Sequence, residues 1–243
     1  MMDRAIVRLA GEDHVDFLQG LITNDMARLG GGILYAALLT PQGKYLADFF
    51  VVADGDGVLL DVAEPLADDL IKRLTMYRLR AKVSVEKTDL RVLVGEGDAP
   101  DGAHIDPRHP ALGWRLYGSE CGQFDSYDDR RIEHLVPQSL QELIPNDSFI
   151  LEMNFEELNG VDFKKGCYVG QEVTARMKHK TSLRKGLARV AVSGDAVPGT
   201  EIMADGKPAG QLFTRSGDEA LAYLRFDRAE GQMSAGDALV TRL

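Results

Sequence analysis

The residue with the clearest chemical potential is Cys167, set in the run Phe163-Lys164-Lys165-Gly166-Cys167-Tyr168-Val169-Gly170-Gln171-Glu172-Val173-Thr174-Ala175-Arg176. Two glycines bracket the thiol and permit a tight backbone turn ahead of a helix-compatible stretch. Two adjacent lysines and a helix N-terminus would both favour thiolate over thiol, the form that acts as nucleophile or metal ligand near neutral pH. Cysteine is also a small hydrophobe that packs well in a core, and the residue types leave that reading open. Cys121, beside Gly118 and Gly122, lacks a basic setting and reads as structural. These two cysteines are too few to cage an iron-sulfur cluster, which usually takes about four thiolates. A single ligand from Cys167 to a cluster shared with a partner, or a part in protecting or releasing one, stays open. The histidines His14, His104, His109, His134 and His179 are scattered without the spacing of a zinc site, so no metal site is expected.

Such a segment needs a scaffold, and hydrophobic periodicity outlines it. Ala5 to Leu9 reads as a strand, followed by an amphipathic helix in which Val15, Leu18 and Ile22 share a face and Asn24-Asp25 mark the end. Ile33 to Leu39, the turn Pro41-Gln42-Gly43-Lys44, and Tyr45 to Ala53 read as strand, turn, strand. Asp54-Gly55-Asp56-Gly57 then leads into Val58 to Val62, completing an antiparallel meander. Pro65 suits a first helical turn, and Leu66, Leu70, Leu74 and Tyr77 recur along one helical face. Strands are expected near Lys82 to Glu86, Leu90 to Gly95 and Leu112 to Tyr117, and a helix over Asp128 to Val136. Glu96 to Pro110, rich in Gly, Asp and Pro, reads as a connector between two lobes. From Leu187 onward short strands (187–192, 201–203, 211–214, 221–225 and 238–242) alternate with turns, and closure into a small β-barrel removes the exposed edges. The expected fold class is α+β with antiparallel sheets: lobe 1 over 1–95, lobe 2 over 96–182 and the barrel over 183–243. No glycine-rich phosphate loop argues for a doubly wound nucleotide-binding sheet.

Composition narrows the partners. A chain of 243 residues, 44% hydrophobic and 27% charged, has the usage of an ordinary globular protein. A formal net charge of -10 opposes general attraction to phosphate backbones, so direct nucleic-acid binding is not expected. The basic run Lys178, His179, Lys180, Arg184, Lys185 is the exception, and it reads equally well as a solvated connector. The longest apolar stretch, Ile33 to Leu39, is far short of the roughly 20 residues a membrane helix needs. Few cysteines and no recognisable secretory signal point to a reducing compartment: the cytoplasm, or the mitochondrion in a eukaryote.

The octapeptide Lys165-Gly-Cys-Tyr-Val-Gly-Gln-Glu172 resembles the signature of the YgfZ-type, folate-binding branch of the glycine-cleavage T-protein superfamily. Phe17-Leu-Gln-Gly-Leu-Ile-Thr-Asn-Asp25, Pro41 through Asp48, and the Pro198-Gly199 to Gln211 region are also similar to that family, so the likeness spans nearly the whole chain. The resemblance implies a ring-like α+β body with a central site for tetrahydrofolate or a derivative and a C-terminal barrel. It also implies an accessory role in making or maintaining iron-sulfur enzymes, with an indirect link to tRNA modification.

A pterin edge with adjacent N–H donors calls for a carboxylate, and the glutamate tail of folate for Lys or Arg. Motif position then makes Asp48 and Glu172 the candidate acids, Lys165 and Arg176 the candidate bases, and Tyr168 and Gln171 their neighbours at the folate site. Either acid could equally cap a helix or pair with a nearby cation. An aminomethyltransferase of the T-protein type is the alternative, but where its pattern resembles Gly-Gly-Ile-x-Asp-Asp this chain reads Gly43-Lys44-Tyr45-Leu46-Ala47-Asp48, keeping one acid of the pair. A third reading is an interaction module with a vestigial pocket and a structural cysteine.

Overall fold

Apolar runs broken by Gly- and Asp-rich turns build the first sheet. In the computed structural model, which describes residues 3–179 and 182–243, it comprises β1 (Arg4–Ala10), β2 (Ile33–Leu39), β3 (Tyr45–Asp54), β4 (Gly57–Ala63) and β5 (Ser84–Lys87). All pairings are antiparallel, in the order β2-β3-β4-β1-β5. Side chains alternate between faces. Phe49 and Val51 join Leu9, Leu60 and Val62 on one face, whereas Tyr45, Phe50 and Val52 join Ile6, Tyr35 and Leu59 on the other. Both faces are buried, which explains why β2, β3 and β4 read as near-continuous apolar runs.

Helices α1 (His14–Gln19) and α2 (Glu64–Tyr77) contribute to the first core, α2 entering with Pro65 in its first turn and burying Ala67, Leu70 and Leu74. The first helix is shorter than its apolar spacing suggests. It stops at Gly20, Val15 is 43% exposed, and Ile22 leaves the helix to bridge Leu38. Sheet pairing outcompetes helix there: the Thr23 amide donates to the Ala37 carbonyl (3.0 Å), and the Ala37 amide donates back to the Thr23 hydroxyl (2.8 Å).

The second sheet is β6 (Arg91–Gly95), β7 (His104–Ile105) and β8 (Trp114–Gly118), in the order β6-β8-β7. The stretch read as a connector therefore supplies a strand, and just after it a buried ion pair, Asp106 with Arg108. Leu112 belongs to a 3-10 turn rather than to β8. Helix α3 (Tyr127–Glu133) ends earlier than expected because Leu135 takes φ +53° and the Val136 amide turns back to the Arg131 carbonyl. Helix α4 (Gln171–Lys178) carries the end of the octapeptide.

Strands β9 (Lys185–Ser193), β10 (Glu201–Ala204), β11 (Lys207–Ser216), β12 (Glu219–Arg225), β13 (Met233–Ala235) and β14 (Ala238–Arg242) close into the expected barrel, in the order β10-β11-β12-β9-β14-β13. Its own core runs from Ala188 to Val240. A buried polar joint ties it to the body. Arg131, fully buried in α3, pairs with buried Glu142 (3.2 Å), and Glu142 accepts from both the amide (3.2 Å) and the hydroxyl (2.5 Å) of Thr214 on β11.

Candidate functional site

Alternation along β3 puts Asp48 and Phe50 on the face turned toward the second sheet, and a pocket forms there. The Asp48 carboxylate is almost fully buried and accepts from three hydroxyls: Tyr45 and Ser139 on Oδ1, both at 2.6 Å, and Tyr35 on Oδ2 at 2.9 Å. Burial first, and the Asp48 charge second, push the Tyr35 and Tyr45 phenols well above their ordinary range. Both stay protonated and keep donating.

Two positions along, the ring of Phe50 lies under three guanidinium groups, with Arg115, Arg108 and Arg4 at 4.0, 4.8 and 5.7 Å from its centroid. Such stacking needs the cations held in place, and two aspartates hold them. Arg108 forks onto Asp106 (3.0 and 2.8 Å) and donates to the Tyr127 hydroxyl (2.7 Å). Arg115 forks onto Asp61 (3.1 and 2.7 Å), whose other oxygen accepts from Arg4 at 2.6 Å. Burial pushes the Asp61 carboxyl up, but Arg115 and Arg4 outweigh it and leave the group below the ordinary carboxylate range.

The pocket has a buried floor of Asp48, Phe50, Arg108, Arg115 and Ser139 and a rim that includes exposed Asp3, Arg91 and Cys121. Gln123, Tyr127 and Gln138 complete the polar wall. The empty space inside it and its open mouth together is roughly 680 Å³.

The octapeptide lies beside this pocket's scaffold, and none of its residues lines the pocket. Gly170, at φ +85°, is pressed against the β2–β3 turn, where a Cβ would meet the Thr40 carbonyl oxygen at 2.7 Å and Leu39 Cβ at 2.9 Å. Gly43, at φ +75°, receives Val173 of α4 with the same closeness, 2.8 Å from where its Cβ would stand. The two segments that resemble one family are thus joined backbone to backbone.

Lys165 is turned inward. Its ammonium donates to the carbonyls of Gln19 (2.8 Å), Ile22 (2.6 Å) and Asn24 (2.9 Å), so it neither flanks the thiol with free charge nor reaches a ligand tail. Burial pulls that ammonium down to about 8, with the carboxylates of Asp25 and Asp162 pushing back. Cys167 is exposed, which removes the buried-hydrophobe reading. It precedes the first helical turn of α4 by several residues, where the effect of the helix dipole has largely faded. Tyr168 is buried under Lys165, 5.1 Å from ring centroid to Nζ, and among the described residues its hydroxyl finds no hydrogen-bond partner. Gln171 opens α4, half-buried.

Glu172 and Arg176 pair with each other across one turn of α4 at 2.6 Å, both largely exposed. Helical i,i+4 spacing accounts for that pair and removes both from the ligand pocket. In the basic run, Lys178 pairs with Glu156 and Lys180 lies outside the described residues. Of the expected ligand residues, then, only Asp48 lines the pocket. The tyrosines around it sat in apolar strand patterns with nothing to mark them, Ser139 is 91 positions away from its partner, and Arg91, Arg108 and Arg115 lay in segments read as strand or connector. The shared face of Asp48 and Phe50 was the available signal. Cys121, read as structural, is exposed on the pocket rim. Likewise His109 and His134, scattered in sequence, stack ring on ring at 3.8 Å.

Residues 184–242 match the family described as CAF17, C-terminal beta-barrel domain, which coincides with the closed barrel. The chain is 30% identical over 280 residues to the human protein named iron-sulfur cluster assembly factor IBA57, mitochondrial, covering 95% of this chain and 78% of the relative. The IBA57 homolog of Mycosarcoma maydis is 33% identical over 216 residues, 75% of this chain and 54% of that one. Both relatives are named mitochondrial, whereas the cytoplasm was the first expectation for this chain. The crystal structure of glycine cleavage system aminomethyltransferase T from Bartonella henselae superposes with a TM-score of 0.77 over 99% of this chain and 82% of that one, at 11% identity. The T-protein-type α+β fold with antiparallel sheets is thereby shown.

Proposed function

Because the chain belongs to the family of the iron-sulfur cluster assembly factor IBA57, we propose that it assists the assembly or maintenance of iron-sulfur proteins, with Cys167 as its working thiol and a reduced folate in the Asp48 pocket. The observation that carries this reading is the presentation of Cys167. The thiol is exposed on a loop held two residues earlier by the buried Lys165 ammonium and three residues later by the tight seat of Gly170. A thiol on such a loop can meet a partner protein without the rest of the motif being exposed. With two cysteines in the chain, it acts on a cluster held mainly by that partner, an iron-sulfur protein docking transiently.

The pocket fits tetrahydrofolate or a derivative on chemical grounds. Oδ2 of Asp48 accepts one hydrogen bond and retains capacity for an N–H of a pterin edge, and Gln123 and Gln138 offer amides nearby. When bound, a reduced folate would supply one-carbon chemistry. This chain's own residues hold the heterocycle, fix the Asp48 carboxylate with three hydroxyls and shield it from water. The YgfZ-type branch remains our finer placement, supported by the octapeptide. The mitochondrion is the compartment that the relatives' names favour.

The test is the activity of several iron-sulfur enzymes in cells lacking the protein, restored with either the native chain or Cys167→Ala. Recovery by the native chain alone is expected. Equal recovery by both would remove the thiol from the proposal, and undiminished activity without the protein would overturn the assembly role. Calorimetry with tetrahydrofolate addresses the pocket separately: Asp48→Asn should weaken binding, and an unchanged affinity would reject the pterin assignment.

A further inference from the structure

The folate reading leaves the anionic tail of the ligand without a counterpart. Both basic residues suggested by the motif are otherwise engaged, Lys165 on three carbonyls and Arg176 on Glu172. Three of the pocket's four arginines are also committed: Arg4 and Arg115 to Asp61, and Arg108 to Asp106. The fourth, Arg91, opens β6 on the exposed rim near Cys121 and Gln123. Among the described residues no carboxylate lies within the 4.0 Å ion-pairing distance of its guanidinium. A planar, permanently charged fork at the mouth of a pocket with a carboxylate on its floor suits a long ligand that is a hydrogen-bond donor at one end and an anion at the other.

Resting on the folate reading, we propose that Arg91 is the tail-binding residue, taking the carboxylate of the ligand's glutamate end at the rim while the heterocycle lies against Asp48. Asp3, exposed on the same rim, carries the opposing charge and weakens the same contact. The pair makes the rim a selectivity element: it rewards a tail carboxylate, and a further glutamate extends past it into solvent.

The experiment is titration calorimetry with 5-formyltetrahydrofolate and with the matching tetrahydropteroate derivative that lacks glutamate, at low and at high salt. For an ion pair at a solvent-exposed rim, Arg91→Gln should weaken the tailed ligand by about fivefold and leave the tail-less one unchanged. Arg91→Lys should recover part of that loss, Asp3→Asn should tighten the tailed ligand by about twofold, and high salt should narrow the difference between the ligands. Equal weakening of both ligands by Arg91→Gln, or no weakening of either, overturns the assignment while the folate reading stands. Failure of the native protein to bind either ligand overturns both. Arg91 is exposed, and an unchanged Tm for each variant shows that a loss of binding is not a loss of fold.

Discussion

Replacing Gly170 by alanine should be costly, and Gly166→Ala, four residues earlier in the same octapeptide, should be harmless. Gly170 sits at φ +85°, which for a residue with a Cβ costs about 1 kcal/mol or slightly more relative to glycine. The new methyl would also stand 2.7 Å from the Thr40 carbonyl oxygen and 2.9 Å from Leu39 Cβ. That carbonyl cannot swing aside, since it accepts from the Gly43 amide (2.8 Å) inside a turn also closed by Thr40 N–H to Lys44 O (2.8 Å). Relief must come from moving α4, at about 1–3 kcal/mol by analogy with overpacked cores. The expected loss is therefore roughly 2–4 kcal/mol. At Gly166 a Cβ meets nothing within 4 Å, so alanine there should lie between no change and a gain of about 1 kcal/mol from a stiffer unfolded chain. Urea denaturation reads both as shifts in midpoint at constant slope. If Gly170→Ala unfolds with the native midpoint, or if the two variants lose equally, the docking of α4 through this glycine is wrong.

Lys165→Met should lose about 3–5 kcal/mol, because three carbonyls, those of Ile22 and Asn24 buried and that of Gln19 partly so, forfeit their charged donor; a midpoint within error of native would show that the carbonyls find other donors. Arg131→Met should cost a similar amount, about 3–5 kcal/mol, by stranding buried Glu142, and should speed hydrogen exchange at the Thr214 amide ahead of the other barrel amides. Equal protection at Thr214 in both proteins would disconnect the joint from the barrel. Stability should fall as pH rises above about 10, the ordinary tyrosine range. Burial and the charges of Asp48 and Asp61 hold the phenols of Tyr35, Tyr45 and Tyr117 well above that range in the native state. The unfolded chain then releases protons that the folded one keeps, so the slope of stability against pH is negative. Absorbance at the phenolate band would contradict this if every tyrosine of the native protein titrated together near the ordinary value.

Much of the scaffold was readable because it obeys local rules. The apolar runs of β2, β3 and β4 are interrupted by turns of unmistakable chemistry, Pro65 announces α2, and the late strands are evenly punctuated. The failures have physical causes. Val15, Leu18 and Ile22 satisfy a helical period, yet Ile22 and Thr23 gain more from pairing with β2, a competition that no local window contains. The composition of Glu96 to Pro110 is that of a loop, and nothing in it says that Asp106 and Arg108 neutralise each other over the ring of Phe50. At the site, Asp48 was accessible as an acid after a glycine turn, but its three hydroxyl donors come from two strands and a distant segment. Glu172 and Arg176 were plausible partners for a ligand until helical spacing made them partners of each other.

The two-sided burial of the first sheet also sets a schedule for the nascent chain. Its strands β1 to β4 are complete once Ala63 has been made, and α2 follows at once to begin covering one face. The other face, with Tyr35, Phe50, Val52 and Leu59, is covered by residues that include Ile150, Phe155 and Tyr168. At ribosomal speed those arrive roughly a hundred residues later, an interval of about 5–20 seconds. During it the emerging polypeptide displays a wet apolar sheet face that carries Asp48, for most of that time without Ser139. Transiently exposed apolar surface of that kind, rather than the finished molecule, is where aggregation starts.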